Sequence, residues 1–220
     1  AQQIASARIE HTYMTNTEDL QDAMSEGIKL FVADMGMLSF RVQNDNPLFE
    51  CLRDESRSYE DRLSAYRDRL EALADWSMVA DIVVVDSRGE TYTSGKTAFT
   101  GQPDFFTVEE ITNSGQGLWI NAVEKDRDGT AYVRFGYPYH HTVYGWNGAI
   151  FIYVPETALY NAYEGAAGQH GRSLLVTGDG LILAAREKEK VGSTLFDHTI
   201  LDSKSFHHLR LPYNGEDSFY

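Results

Sequence analysis

The sequence has a single cysteine, Cys51, among 220 residues, so it can form neither an internal disulfide nor a cysteine-based zinc cage. So little cysteine fits a surface protein that avoids mispairing, with a cytosolic protein as the alternative. Positive charge is also scarce: 19 Lys and Arg stand against 33 Asp and Glu, a formal charge of -14. The basic residues form no cluster, and a face that holds nucleic-acid phosphates or anionic lipid needs one. Nucleic acid is therefore excluded as a partner. No run approaches the roughly 18 apolar residues of a membrane span, and no signal peptide is recognisable. A nucleophile elbow, a Walker sequence and a phosphate-cradling Gly-rich loop are all missing, so no catalytic residue and no cofactor is predicted. The chain begins at Ala1 without a Met and ends on Ser218-Phe219-Tyr220, which reads like the start of a strand. The expectation is a segment cut from a longer protein.

What is present suits a packed protein, with 42% hydrophobic residues and 12% aromatics, enough to bury a sizeable core. Leu20, Met24, Ile28, Phe31, Met35 and Leu38 recur at spacings of three and four, one stripe of an α-helix. Thr15 or Thr17 would cap its start, and Asn44-Asp45-Asn46-Pro47 would stop it, because Pro47 disfavours helical geometry at Asn46. Tyr59, Leu63, Tyr66, Leu70 and Leu73 repeat the period, with Ser58, Glu60 and Asp61 suited to a helix start.

At Ala80 the pattern changes. Asp81 to Asp86 is a continuous β-branched run that reads as a buried strand. Ser87-Arg88-Gly89-Glu90 makes a turn, and Thr91 to Ser94 returns as the second strand of a hairpin. Phe106 to Thr112 reads as a short helix, followed by strands at Leu118 to Val123, Ala131 to Tyr137 and Gly148 to Val154. The turn-rich Lys125 to Gly129 separates the first two. A helix from Thr157 to Ala166 then reaches Gly165-Ala166-Ala167-Gly168, a linker. About 90 residues after the first hairpin, Leu174 to Thr177, Gly178-Asp179-Gly180 and Leu181 to Ala184 repeat its shape, which points to two similar lobes.

At these hairpins, and in the segments after each of them, the sequence resembles the double Cache domain, an extracytoplasmic sensor of bacterial histidine kinases and chemoreceptors. The pieces that carry the resemblance are the N-terminal helix leading into Ile82-Val83-Val84-Val85-Asp86-Ser87-Arg88-Gly89, then Gly117-Leu118-Trp119, then Gly148 to Val154 followed by Leu159. The last is Leu174 to Ala184 with Lys190-Val191-Gly192-Ser193-Thr194-Leu195. The style looks closest to sensor kinases of Gram-positive bacteria. The fold class implied is α+β: an N-terminal helical segment (1–75), a PAS-like membrane-distal lobe (76–166) and a membrane-proximal lobe (167–220) that looks incomplete at its C-terminus, with strands at Phe206 to Leu211 and Phe219-Tyr220. The function implied is ligand sensing on the extracellular face of the bacterial cell membrane, in a membrane-anchored histidine kinase or, alternatively, a chemoreceptor. Any kinase activity would lie outside this segment.

Such lobes bind small molecules between the sheet and the helices and loops over one face. Strand alternation puts Tyr132 and Arg134 on one face, and Val133, Phe135 and Tyr137 on the other. A guanidinium flanked by aromatic rings suits a carboxylate or other polar metabolite. Trp119, Tyr132, Arg134, Tyr137, Tyr139 and Tyr153 are thus the candidate ligand-binding residues. Alternatively, Arg134 lies on a solvent face and the aromatic residues simply fill the core. The family's amino-acid binders use an acid on the closing strand to hold the ligand's ammonium. Here Tyr153 occupies that position, which speaks against a free α-amino acid.

The pairs His140-His141 and His207-His208 cannot chelate alone on a strand, because adjacent side chains point to opposite faces. No metal site is predicted. A secreted hydrolase or metal-dependent enzyme would need His140, His141, Asp86 and Asp126 to converge in one cleft. A ligand-free spacer would fill its own cavity. The stripe Leu20 to Leu38 is expected to pack partly on its own lobes and partly on a second chain, as a homodimer.

Overall fold

A computed structural model describes residues 2–74, 78–95, 105–114, 119–141, 146–167, 174–177, 180–194, 210–213 and 216–219. The chain divides into two compact units, Gly27–Leu159 and Ala1–Glu26 with Tyr160–Tyr220. Among the described residues no helix is long and apolar enough to cross a membrane.

The first unit is built on a five-stranded antiparallel sheet in the order β2-β1-β5-β4-β3. Its strands are β1 (Asp81–Asp86), β2 (Thr91–Thr93), β3 (Trp119–Lys125), β4 (Ala131–His141) and β5 (Trp146–Pro155). Helices α1 (Gln2–Gln43), α2 (Asn46–Arg53) and α3 (Tyr59–Leu73) precede β1, α4 (Phe105–Ser114) lies between β2 and β3, and α5 (Glu156–Ala167) follows β5. The α+β class with an N-terminal helix and an antiparallel sheet is as the sequence predicts.

Thr15 and Thr17 do not start α1, which already runs from Gln2 and continues to Gln43. α1 does stop at Gln43, just before Asn44-Asp45-Asn46-Pro47 as expected, but Asn46 is not kept out of helical geometry by Pro47: both lie in the first turn of α2, which the sequence reading missed, with Asp45 accepting from the Leu48 N–H at 2.9 Å as its N-cap. Proline is tolerated there because first-turn N–H groups have no intrahelical partner anyway. Ser58 caps α3 as expected, accepting from the Asp61 N–H at 3.2 Å and donating to the Asp61 carboxylate at 2.7 Å. Such a cap stabilises a helix by about 1 kcal/mol.

Every residue of β1 is buried, which explains its unbroken apolar run: helices cover both faces of the sheet. On one face Phe31 of α1 lies 6.2 Å from Phe135, Phe49 of α2 stacks on Tyr139 at 4.4 Å, and Tyr66 of α3 donates to the Ile82 carbonyl at 3.0 Å. On the other face Ile111 of α4 packs with Val83, Val85, Ala149, Phe151 and Tyr153.

The turns of two hairpins in this unit have the same chemistry. In each, an aspartate side chain accepts from the backbone N–H groups two and four residues on: Asp86 from Arg88 (2.9 Å) and Glu90 (2.8 Å), and Asp126 from Asp128 and Thr130 (both 2.9 Å). A glycine with positive φ follows, Gly89 (81°) and Gly129 (83°), in the left-handed geometry that ends such a turn.

The second unit contains two described hairpins, β6 (Leu174–Val176) with β7 (Ile182–Ala185), and β8 (Arg210–Tyr213) with β9 (Glu216–Phe219). In the first, Thr177 Oγ1 accepts from the Leu181 N–H at 3.0 Å and Gly180 takes φ 88°. The repeated hairpin shape thus has a shared turn geometry. Tyr163 of α5 donates to the Ala184 carbonyl at 3.2 Å, and Lys188 lies 4.0 Å from the centre of the Tyr160 ring.

A buried polar network fastens α3 to the β1–β2 hairpin. The Arg62 guanidinium donates to the Leu52 carbonyl (3.0 Å), to the Tyr92 hydroxyl and to Glu90 (2.8 Å), while Tyr92 donates to Glu90 at 2.6 Å. Hydrogen bonds from Arg62 and then Tyr92 hold the Glu90 carboxyl at a pKa of about 2 instead of 4.5. A depressed acid stabilises the fold fully above its unfolded pKa and loses that contribution as the pH falls through the folded one. Thermal unfolding from pH 6 down to pH 2 should therefore show a fall in melting temperature below about pH 4.5 that is smaller in Glu90→Gln; equal falls in both proteins would clear Glu90 of this role. A second expectation concerns Gly148, where a Cβ would meet the Val85 carbonyl oxygen at 2.1 Å. Because that oxygen belongs to a paired strand, Gly148→Ala should cost roughly 3 kcal/mol in denaturant unfolding.

Candidate functional site

The pairing of β4 with β5 decides what lies on each face. Arg134 is opposite Tyr153, Gly136 opposite Phe151, and Tyr137 opposite Ile150, and directly paired residues share a face. Tyr132, Arg134 and Tyr153 therefore lie on the α4 face, while Tyr137 and Tyr139 lie on the face covered by α1 to α3. The six candidates do not form one group. Tyr139 stacks on Phe49, and the Tyr137 hydroxyl is buried with no hydrogen-bond partner among the described residues. The Trp119 backbone pairs with Gly136 on the neighbouring strand, and its side chain lies outside the described residues.

Arg134 is only 7% exposed. The alternative of an arginine on a solvent face is therefore corrected: α4 and the cluster around Phe151 cover this face. The guanidinium sits 5.4 Å from the centre of the Phe151 ring and donates through Nη1 to Glu124 at 2.9 Å. Glu124 pairs with Tyr132 across β3 and β4, and Arg134 pairs with Ala122, so the ion pair runs diagonally between strands. The sequence reading missed Glu124. Its orientation depends on an irregularity between Ile120 and Ala122 that shifts the register of β3, and such a bulge leaves only a weak trace in sequence.

The electrostatics of this end of the face follow from burial. Desolvation pushes the Glu124 carboxyl up against the opposing pull of Arg134. Burial, followed by the nearby Glu124 charge, raises the Tyr153 hydroxyl to about 12, so it is a neutral donor at any physiological pH. Tyr132 donates to Asp126 at 2.9 Å, which ties its ring to the β3–β4 turn. The result is a buried guanidinium and a carboxylate side by side, an aromatic floor of Phe151 and a phenol at the edge. Chemically this arrangement can hold a carboxylate at Arg134 and a cationic or hydrogen-donating group at Glu124.

At the opposite end of the same face lies a cavity of about 270 Å³, lined among others by Val85, Thr91, Val108, Thr112, Asn147 and Gly148. Gly148 is five residues from Tyr153 along β5, about 17 Å at the usual rise of a strand. Nothing in the sequence reading marked this cavity.

The residues of the hydrolase alternative are spread apart. Asp86 and Asp126 hold the turns described above, at opposite ends of the sheet, and His140 contacts the Asn147 side chain. Asp126 bonds Tyr132, which is eight residues from His140 along β4, about 27 Å. The side chains of His141, His207 and His208 lie outside the described residues.

No family model matches the sequence, and no curated protein resembles it. Solved structures do. The ligand-binding domain of the Pseudomonas aeruginosa PAO1 amino acid chemoreceptor PctB, in complex with L-Gln, is similar over 91% of this chain and 79% of that one, with a TM-score of 0.64 at 12% identity. The sensor domain of the Vibrio cholerae (V. cholerae) histidine kinase DctB matches over 85% and 72%, with a TM-score of 0.65 at 13% identity. The ligand-binding domain of the Campylobacter jejuni chemoreceptor Tlp3, in complex with L-norvaline, matches over 90% and 74%, with a TM-score of 0.55 at 16% identity. At such identities the likeness carries the fold alone: the chain has the fold of the Cache-type sensor domains.

Proposed function

We propose that the chain is the ligand-sensing input domain of a bacterial transmembrane receptor, facing the outside of the cell, in which a small molecule binds on the α4 face of the sheet and shifts the packing of α1. The role is recognition without chemistry. The observation that carries the reading is Arg134, a cation buried on that face over Phe151 and beside Glu124 and Tyr153. In a fold used by sensor domains, a fixed cation on an apolar floor is what a carboxylate-bearing ligand needs. The division into a distal lobe (76–166) and a proximal lobe (167–220) is part of the same reading, supported by the shared turn geometry of the β1–β2 and β6–β7 hairpins. A sensor histidine kinase is the proposed output; a chemoreceptor would use the same input, and both kinds of receptor occur among the structural neighbours.

The ligand proposed is a small molecule with a carboxylate and an amine. The argument against an amino acid rested on Tyr153 standing where the closing strand would supply an acid. Glu124 supports the opposite view, because it brings a carboxylate to the same end of the face from β3, 2.9 Å from Arg134. A ligand carrying only a carboxylate would compete for Arg134 and leave Glu124 buried without its counter-charge. A zwitterion instead keeps both charges matched.

Thermal-shift and calorimetric screening of amino acids, the corresponding carboxylic acids and the corresponding amines tests this. Amino acids should raise the melting temperature, with Arg134→Ala abolishing the shift and Glu124→Gln reducing it at least tenfold in affinity, about 1.4 kcal/mol. A carboxylic acid lacking the amine that binds as tightly as the amino acid would remove Glu124 from recognition; a shift unchanged in Arg134→Ala would remove the site. Titration of Glu124 by carbon-detected NMR gives an independent check. Its midpoint should lie above that of an exposed glutamate and move further up in Arg134→Met, because the one opposing pull on the carboxyl is lost. A midpoint that stays put would mean the ion pair does not form in solution.

A further inference from the structure

The cavity at the far end of the α4 face lies where that helix meets the β1–β2 hairpin. Its volume of about 270 Å³ has room for roughly nine water-sized groups. Helix α4 packs over β4 and β5, and Val108, Glu109 and Thr112, which share one side of it, line the cavity together with Val85 and Thr91 of the hairpin. Val85 and Thr91 are directly paired, so both side chains belong to this face. Packed side chains separate the cavity from Arg134: Ile111 is fully buried against Val83, Phe151 and Tyr153. The two ends of the face are therefore distinct compartments, and what the cavity can hold does not depend on the ligand proposed for Arg134.

The lining carries one sign of charge. Among its described residues there is no Lys, Arg or His. Glu109 is exposed at the rim, and its carboxylate makes no hydrogen bond or ion pair among the described residues. Asp86 also lines the cavity, but its carboxylate is occupied by Arg88 and by the N–H groups of its own turn. Thr112 Oγ1 donates its proton to the Val108 carbonyl at 2.7 Å, with the Gly148 carbonyl 3.3 Å away, so what it offers a ligand is a lone pair. Thr91 brings a second hydroxyl that can accept in the same way. An anion is repelled by such a lining. A quaternary ammonium needs aromatic rings around it, and the described lining has none. A primary ammonium has three N–H donors, which match Glu109 and the two hydroxyls.

We infer that this cavity is a second binding site, for a small primary amine whose ammonium group lies among Glu109, Thr91 and Thr112 and whose short apolar body rests on Val85 and Val108. Its affinity is low, because Glu109 is solvated and an exposed ion pair is weak and screened. The α4 face then carries two subsites of different chemistry, a zwitterion site at Arg134 and an amine site at Glu109.

Titration of the whole chain with n-butylammonium chloride at low ionic strength, read by the methyl NMR signals of Val108 and Thr112, tests this. Both signals should shift and saturate, and added salt should weaken the binding. Glu109→Gln, a substitution at an exposed position, should weaken it about fivefold. Thr112→Val should weaken it too, whereas Glu110→Gln, at the neighbouring exposed acid, should leave it unchanged. Signals that do not move, or butanol or butyrate binding as tightly as the amine, overturn the site. Tetramethylammonium binding as tightly overturns the primary-amine assignment. Amine binding that survives Glu109→Gln and is lost in Glu124→Gln places the amine at the Arg134 end, which overturns this inference while supporting the zwitterion site.

Discussion

The long antiparallel register between β4 and β5, running unbroken from Tyr132 opposite Pro155 to His141 opposite Trp146, is the constraint on which the first unit depends. Side chains alternate with a period of two, so a slip of one residue would move Arg134 to the face of α1 to α3 and push Phe135 under α4. Neither exchange is tolerable. Phe135 is fully buried against Phe31, and a guanidinium placed there would lose its carboxylate. The register is locked further by β1, whose interior position between β2 and β5 sets Val83 against Phe151 and Val85 against Ala149. Gly148 permits the approach of the two backbones where this pairing ends.

The turns at the sheet ends use a single device, and that is why so much of the fold was legible. An oxygen-bearing residue at the end of a strand, followed three residues later by a glycine, closes each of the Asp86, Asp126 and Thr177 turns. The side chain and the glycine act locally, so the sequence window that contains them contains the cause. Helix periodicity is legible for the same reason, and it located α1 and α3. It also picked the row of α1 that the structure buries, since Phe31, Met35 and Leu38 belong to the predicted stripe while Leu30, Met37 and Phe40 stay exposed. What that row packs against, Phe135 among others, lies far along the chain and is not legible from the period. The short helix α2 escaped notice because Pro47 reads as a stop, when its role in the first turn depends on Asp45 capping the helix.

The candidate site divides along the same line. Arg134 and Tyr132 were assigned to one face by alternation within a single strand, and the structure places them so. Including Tyr137 and Tyr139 in the same group conflicts with that alternation: their rings belong to the packing against α2 and its neighbours. Glu124 was invisible because its relation to Arg134 is diagonal, crosses two strands and depends on the irregularity after Ile120. No local pattern contains those three conditions together.

That missing carboxylate changes the chemistry of the face. A lone buried arginine would present a full positive charge and favour any anion. With Glu124 beside it the pair is neutral as a whole and strongly dipolar, and a neutral dipole discriminates by the arrangement of a ligand's charges more than by its net charge. For the fold alone, two apolar side chains would serve at least as well, since a buried ion pair adds little stability over a packed hydrophobic pair. What the pair supplies is orientation: Phe151 beneath the guanidinium and Tyr153 at its edge hold the positive end in place, while Glu124 fixes the negative end two residues away on the next strand. The cost of burying such a dipole is met by the register that also builds the core, so the recognition proposed for this face and its folding rest on the same strand pairing.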